Sequence, residues 1–179
     1  MGDETLGLPP VLRELLDDAV RLEIVAATEL VGTGSERVFD ELSATAAMAL
    51  SAPVAQVTLM EAHRQWFKSS RGFPLQEAPT TTSFCAYALA SKDAPTIVAD
   101  ATLDKRFMMN PFVMNEPHIR FYAGMPIVLD GHSIGSVCVY DFEPRNDVTP
   151  QQIATLRYLA DNAAKIIEAR MDARIAAEA

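Results

Sequence analysis

The sequence predicts one α/β domain of the α+β kind, with helices at both ends of a hairpin-rich sheet. Three observations predict it. Apolar residues recur at three- and four-residue steps near both termini, from Val11 to Ala26 and from Ile153 to Ile175. Val54–Met60 reads as a strand whose weak polarity contrast suits a central position. Asp130-Gly131, between two apolar runs, is a strong two-residue hairpin signal. Helices enclosing hairpins exclude a doubly wound parallel fold, which alternates strand and helix.

Pro9 and Pro10 open the first helix, whose apolar stripe runs through Leu12, Leu15, Ala19, Leu22 and Val25. Asp17, Asp18, Arg21 and Glu23 fall largely between the stripe positions. Gly32 and Gly34 release the chain, and Ser35 is a plausible cap for a second helix over Val38 to Leu50. After Pro53 comes the Val54–Met60 strand, with Trp66–Ser70 as its hairpin partner. Residues 72–82 hold Pro74, Pro79 and three threonines and read as a loop. Thr82 or Ser83 can cap a short helix from Phe84 to Ala90, and residues 96–98 form a short strand. Leu103 to Met109 has room for one or two helical turns before Asn110-Pro111 and Glu116-Pro117 break it. Phe121–Leu129 and His132–Tyr140 are the two arms of the Asp130-Gly131 hairpin, with Gly135 marking a bulge or a close approach. Thr149 and Pro150 start a long last helix.

The 179 residues are expected to fold as one domain over 11–175, between a flexible 1–10 and a frayed 176–179. Twenty-four acidic against 15 basic side chains give a net charge of -9, which repels phosphate backbones and argues against nucleic acid. Two cysteines, Cys85 and Cys138, both apolar-flanked, suggest reduced core thiols in a cytoplasmic protein. No secretory pattern and no run of 18 apolar residues is present, so neither export nor a membrane span is expected.

His63, His118 and His132 have none of the close spacings that supply metal ligands, so no metal is expected and no cofactor is named. Gly32-Thr33-Gly34 lies between helices, where a phosphate loop would have to follow a strand. Cys85 is open to three readings: inert buried thiol, wall of a ligand pocket, or reactive centre; Cys138 is a core residue. Trp66 reads as sheet or helix packing, or as a stacking platform. The irregular stretch 100–122 sets Asp104, Arg106, His118, Arg120 and Tyr122 among Phe107, Met108, Met109, Phe112 and Phe121. That mixture suits a small-molecule cavity, or a loop whose aromatics plug the sheet edge with Arg120 in a salt bridge to Asp100 or Asp104. The last helix carries a narrow stripe beyond what one sheet needs, flanked by mixed charges, which predicts a homodimer through the terminal helices, with Ile166 and Ile167 as its test positions.

Six strings together resemble the GAF domain: ERVFD (36–40), VAQVTLM with HRQWFK (54–68), SFCAYAL (83–89), VADA with DKRF (98–107), RFYAG (120–124) and GSVCV (135–139). They are similar to the sensor modules of bacterial histidine kinases and diguanylate cyclases. The resemblance implies a central antiparallel sheet, with terminal helices on one face and a short helix plus irregular crossover over a pocket on the other. It implies Phe84, Cys85, Asp104, Arg106, Phe107, His118, Arg120 and Tyr122 as ligand-binding residues. Departures narrow the chemistry. No cysteine is followed by histidine as in tetrapyrrole-binding relatives, and the signature of cyclic-nucleotide binders is missing. Two apolar-flanked cysteines disfavour methionine sulfoxide reduction. The expected function is a non-catalytic sensor or regulatory domain that signals through its terminal helices or a protein partner. The alternatives are a dimerisation module with a self-filled pocket and, behind it, a thiol-dependent reductase.

Overall fold

Alternation along the strands divides the protein into two cores. The computed structural model describes residues 7–179. Six antiparallel strands form one sheet: β1 Val54–Met60, β2 Arg64–Arg71, β3 Glu77–Pro79, β4 Thr96–Val98, β5 Phe121–Leu129 and β6 His132–Asp141, in the order β3-β2-β1-β6-β5-β4. Ala55, Val57 and Leu59 of β1 join Ala123, Met125, Val137 and Val139 on one face. Val54, Met60, Tyr122, Cys138 and Tyr140 belong to the other. Every β1 side chain is buried because both faces are covered, which explains its weak polarity contrast.

The first face is covered by α2 Ala19–Thr28, α3 Arg37–Leu50 and α6 Pro150–Glu178. The second lies under α1 Pro10–Leu16, α4 Cys85–Leu89 and a crossover that contains α5 Pro111–Met114. This is the two-sided arrangement expected.

Several local details differ from the sequence reading. The first helix is two helices, because the Asp18 side chain accepts from Arg21 N–H at 2.8 Å and restarts the chain. Arg21 does not face solvent. It is fully buried, donating to the carbonyls of Leu15 (3.1 Å), Leu16 (2.8 Å) and Met60 (2.7 Å). It thereby satisfies the end of α1 while tying it to β1. Glu36, not Ser35, precedes α3, and it makes no side-chain cap. The loop 72–82 contains the edge strand β3 and a 3-10 turn over Thr80–Thr82. Asn110-Pro111 starts a helix rather than breaking one: Asn110 caps Phe112 N–H at 2.9 Å, and Pro111 needs no donor at the first position. The 1–6 part of the predicted flexible start lies outside the described residues.

Two glycines are required by their surroundings. A Cβ on Gly135 would strike the Thr58 carbonyl, where β6 pairs with β1 beside a register shift between β5 and β6. One on Gly124 would strike the Tyr122 hydroxyl, so Gly124 makes room for that ring over the sheet. The hairpin turn is as predicted, with φ of 48° at Asp130 and 76° at Gly131. Thr149 and Gln152 form a full capping box for α6. No helix among the described residues is long and apolar enough to cross a membrane.

Candidate ligand pocket

On the face opposite α6, the sequence leaves an uneven set of side chains. β1 contributes Gln56 and Thr58, β2 contributes Gln65 and Phe67, and β6 contributes Ser136, Cys138 and Tyr140. Above them α4 brings Phe84 and Cys85, held by Ser83, whose Oγ accepts from Ala86 N–H at 3.1 Å. The crossover brings Phe107 and Phe112. Phe84 and Phe107 stack at 4.2 Å with an interplanar angle of 6°, and Tyr140 meets Phe84 edge-on at 5.6 Å.

Beside this stack lies a cavity lined by Gln56, Gln65, Phe67, Phe73, Phe112 and Tyr140 among others. Its free space is about 20 Å³, enough for little more than one water. Gln56 Nε2 donates to Ser70 Oγ at 3.2 Å. Gln65 is 2% exposed and its Nε2 has no partner. An orphaned amide donor beside an aromatic-walled cavity is costly unless something occupies the cavity and accepts from it.

The deepest polar groups are sulfurs and hydroxyls. Cys85 and Cys138 Sγ stand 3.6 Å apart, the Tyr122 hydroxyl donates to Cys85 Sγ at 3.2 Å, and Tyr140 Oη lies 3.8 Å from it. Thr58 and Ser136 hydroxyls pair at 2.9 Å. Burial first, and neighbouring thiols second, push both tyrosines well above the ordinary phenol range. Burial also raises Cys138, and donation to Cys85 raises it further. Burial opposes ionisation of Cys85 too. Donors from Cys138, Ser136, Tyr122 and Tyr140 outweigh it, so Cys85 is the more acidic thiol of the pair.

The eight residues implied by the GAF resemblance divide into three groups. Phe84, Cys85, Phe107 and Tyr122 come together, each at most 1% exposed. Asp104 and Arg106 pair at the rim, Nη2 to Oδ2 at 2.7 Å, with Arg106 over the rings of Phe107 and Tyr87. The Arg106 hydrogen bonds hold the Asp104 carboxyl below its usual range. His118 is exposed on the crossover with φ of 60°. Arg120 makes no salt bridge to Asp100 or Asp104; its Nη1 donates to the carbonyls of Val113 and Ile119 at 3.0 and 3.1 Å, fastening the crossover. Met108 and Met109, expected among the cavity-filling side chains, are 44% and 54% exposed. Gln56, Gln65, Phe73 and Tyr140 were missed. For β1 and β6 a signal existed: Gln56 and Thr58 alternate, as do Ser136, Cys138 and Tyr140, on one face of central strands.

Residues 12–167 match the GAF domain family. The chain belongs to it. Over 145 residues it is 41% identical to cyclic di-GMP phosphodiesterase PA2567 of Pseudomonas aeruginosa, a match covering 80% of this chain and 24% of that protein. The chain thus spans about a quarter of that curated relative. Among solved structures, the GAF domain of an Acinetobacter phosphoenolpyruvate-protein phosphotransferase superposes with a TM-score of 0.62 at 15% identity, covering 90% of this chain and 95% of that one. Free methionine-R-sulfoxide reductase of Neisseria meningitidis, solved with its substrate, gives 0.61 at 16% identity, covering 97% and 95%. At such identities the likeness is one of fold. GAF domains are small-molecule-sensing and regulatory modules of signalling proteins, typically without catalysis of their own, and this GAF domain is of that type.

Proposed function

We propose that this GAF domain senses a small, largely flat molecule that enters between the sheet and the Phe73–Phe112 wall, accepting a hydrogen bond from Gln65. The unpartnered Gln65 amide in an aromatic-walled cavity carries this reading. The space is small as it stands, so binding displaces Phe73 and Phe112, both half-buried and packed edge-on at 5.6 Å. Of the residues implied by the resemblance, Phe84, Phe107 and Tyr122 form the floor and back of the enlarged site, beside Cys85. Asp104, Arg106, His118 and Arg120 hold the crossover and its rim. The readout passes to α6 and through it to a cytoplasmic signalling partner or a second copy.

Native mass spectrometry of gently purified protein and a thermal-shift screen of metabolites test this. Retention of a small molecule, with loss of the shift in Gln65→Leu, is the expected result. No retained molecule and no shift across the panel would reject it.

One observation favours a second reading. Phe84 and Phe107 stack at 4.2 Å beside the cavity, which has only about 20 Å³ free. In that reading the domain is a dimerisation module whose pocket is structural, and only substitutions on α3 and α6 change its behaviour.

A further inference from the structure

Both cysteines of this chain meet in one buried cluster, although 53 positions separate them in sequence. Cys85 sits at the start of α4 and Cys138 in the middle of β6. Their sulfurs, 3.6 Å apart, are in contact, and closing that gap to an S–S bond of about 2.05 Å needs a shift smaller than a bond length or so. Chance burial of two thiols does not require this contact. β6 has apolar partners on the same face, and α4 offers Ala86, Ala88 and Leu89 as well.

We propose that Cys85 and Cys138 form a reversible disulfide within the domain, driven by a hydroperoxide of water-like size. The surrounding groups suit this chemistry. Tyr122 donates to Cys85 Sγ at 3.2 Å, and Tyr140 Oη stands at 3.8 Å, so negative charge on that sulfur is met by two hydroxyls. The greater acidity of Cys85 agrees with its role as the attacking sulfur. Neither sulfur lines the nearest cavity, so the peroxide reaches them by displacing Tyr140 or Gln56. The one-water cavity is bounded by Tyr140 and Gln56, which touch Cys85 Sγ and, at 4.0 Å, Cys138 Sγ.

In the first step Cys85 Sγ attacks one oxygen of ROOH. An S–O bond forms, the O–O bond breaks, and the leaving RO⁻ takes the Cys85 thiol proton to become ROH. Cys138 Sγ then attacks Cys85 Sγ. The S–S bond forms, the S–O bond breaks, and hydroxide leaves as water with the Cys138 proton. Two thiols lose two electrons in total and the peroxide gains them; a dithiol then reduces the S–S bond back to two thiols by exchange and is itself oxidised to a disulfide. The product staples α4 to β6 and removes the sulfur acceptor from both tyrosines. Disulfide formation shares the cavity with the proposed ligand site but does not depend on recognition by Gln65, so it stands whether or not that reading holds.

The test treats the intact protein with a small excess of hydrogen peroxide. Free thiols counted after denaturation fall from two to none. The intact mass drops by two hydrogens, and the melting temperature rises on the order of 10 °C, as expected for closing a loop of this length. In Cys138→Ser the reaction stops at a Cys85 sulfenic acid that dimedone captures. Two unreacted thiols, a gain of oxygen on the wild-type chain, or a disulfide joining two chains on a non-reducing gel would each overturn the proposal. Should Cys138→Ser fail to fold, the wild-type mass and a non-reducing peptide map decide alone.

Discussion

Arg170 of α6 reaches Glu36 at the start of α3, Nη2 to Oε1 at 2.6 Å. The same carboxylate holds Lys68 Nζ of β2 at 2.5 Å. Lys68 is 1% exposed and also donates to Thr33 Oγ1 (2.8 Å) and the Gly34 carbonyl (2.6 Å). Both cations lie over the Phe39 ring, at 5.7 and 5.3 Å. Lys68 follows Phe67, which lines the cavity. One carboxylate therefore joins the strand next to the pocket to the long last helix.

Glu36→Gln should destabilise the protein by about 1–2 kcal/mol. The buried ammonium loses its counterion but keeps two neutral acceptors, and Glu36 is itself partly solvated. Its hydrogen bonds to Arg170 and Lys68 lower the folded carboxyl from 4.5 to about 2. A depressed carboxyl contributes stability above its unfolded pKa and loses it as pH falls through the folded one. Urea melts of both proteins should differ most at pH 5 and above, as judged from the unfolded value of 4.5, and converge toward pH 2. A difference that does not shrink with acid would assign the effect to packing.

Arg21→Met should cost about 3 kcal/mol or more, although the side chain keeps its apolar bulk. Two buried carbonyls, of Leu16 and Met60, and the part-buried one of Leu15 lose a charged donor at once. Chemical denaturation followed by circular dichroism measures this. A loss under 1 kcal/mol, or about that, would mean the carbonyls find other partners.

Removing one ring of the pocket stack should open the pocket. Phe84→Ala is expected to lower stability by about 3–5 kcal/mol and to create an apolar cavity that accepts indole or benzene. An increase in melting temperature with indole, seen in the variant and not in the wild type, is the readout. No ligand response from a folded variant would show that the crossover collapses into the space.

The predicted dimer separates two adjacent isoleucines. Ile167 is 1% exposed and packs in the helix–sheet core, whereas Ile166 lies half-buried in a surface groove with Val38, Leu42, Thr45 and Tyr158 between α3 and α6. Ile167→Glu should therefore unfold the domain and report nothing on assembly. Ile166→Glu should leave the melting temperature within a few degrees and convert a dimer to monomer by sedimentation velocity. Wild-type protein that sediments as a monomer at high micromolar concentration would reject the dimer.

The fold was legible in sequence because it is written in local periodicity. The 3.6- and 2-residue repeats placed the long elements, Asp130-Gly131 set the hairpin, and Thr149-Pro150 set the start of α6. Short polar signals were harder to weigh. Asp18 reads as a polar residue between the stripe positions of one helix, and only the Arg21 N–H that it accepts in the structure shows it to be a cap. The site was legible in part. Phe84, Cys85, Phe107 and Tyr122 were named together, but Gln65, Phe73 and Tyr140 were not, because their shared face depends on strand register and on where a loop folds back. Sequence by itself determined the acidic composition and the α+β order of elements, since composition and periodicity are local properties, while the GAF reading came from the resemblance of strings such as 83–89 and 120–124. Tertiary structure alone decided that the pocket is nearly closed, that Lys68 and Arg170 share Glu36, and that Cys85 touches Cys138. Each joins residues far apart in the chain, and only the packing of helices against a sheet brings them within reach.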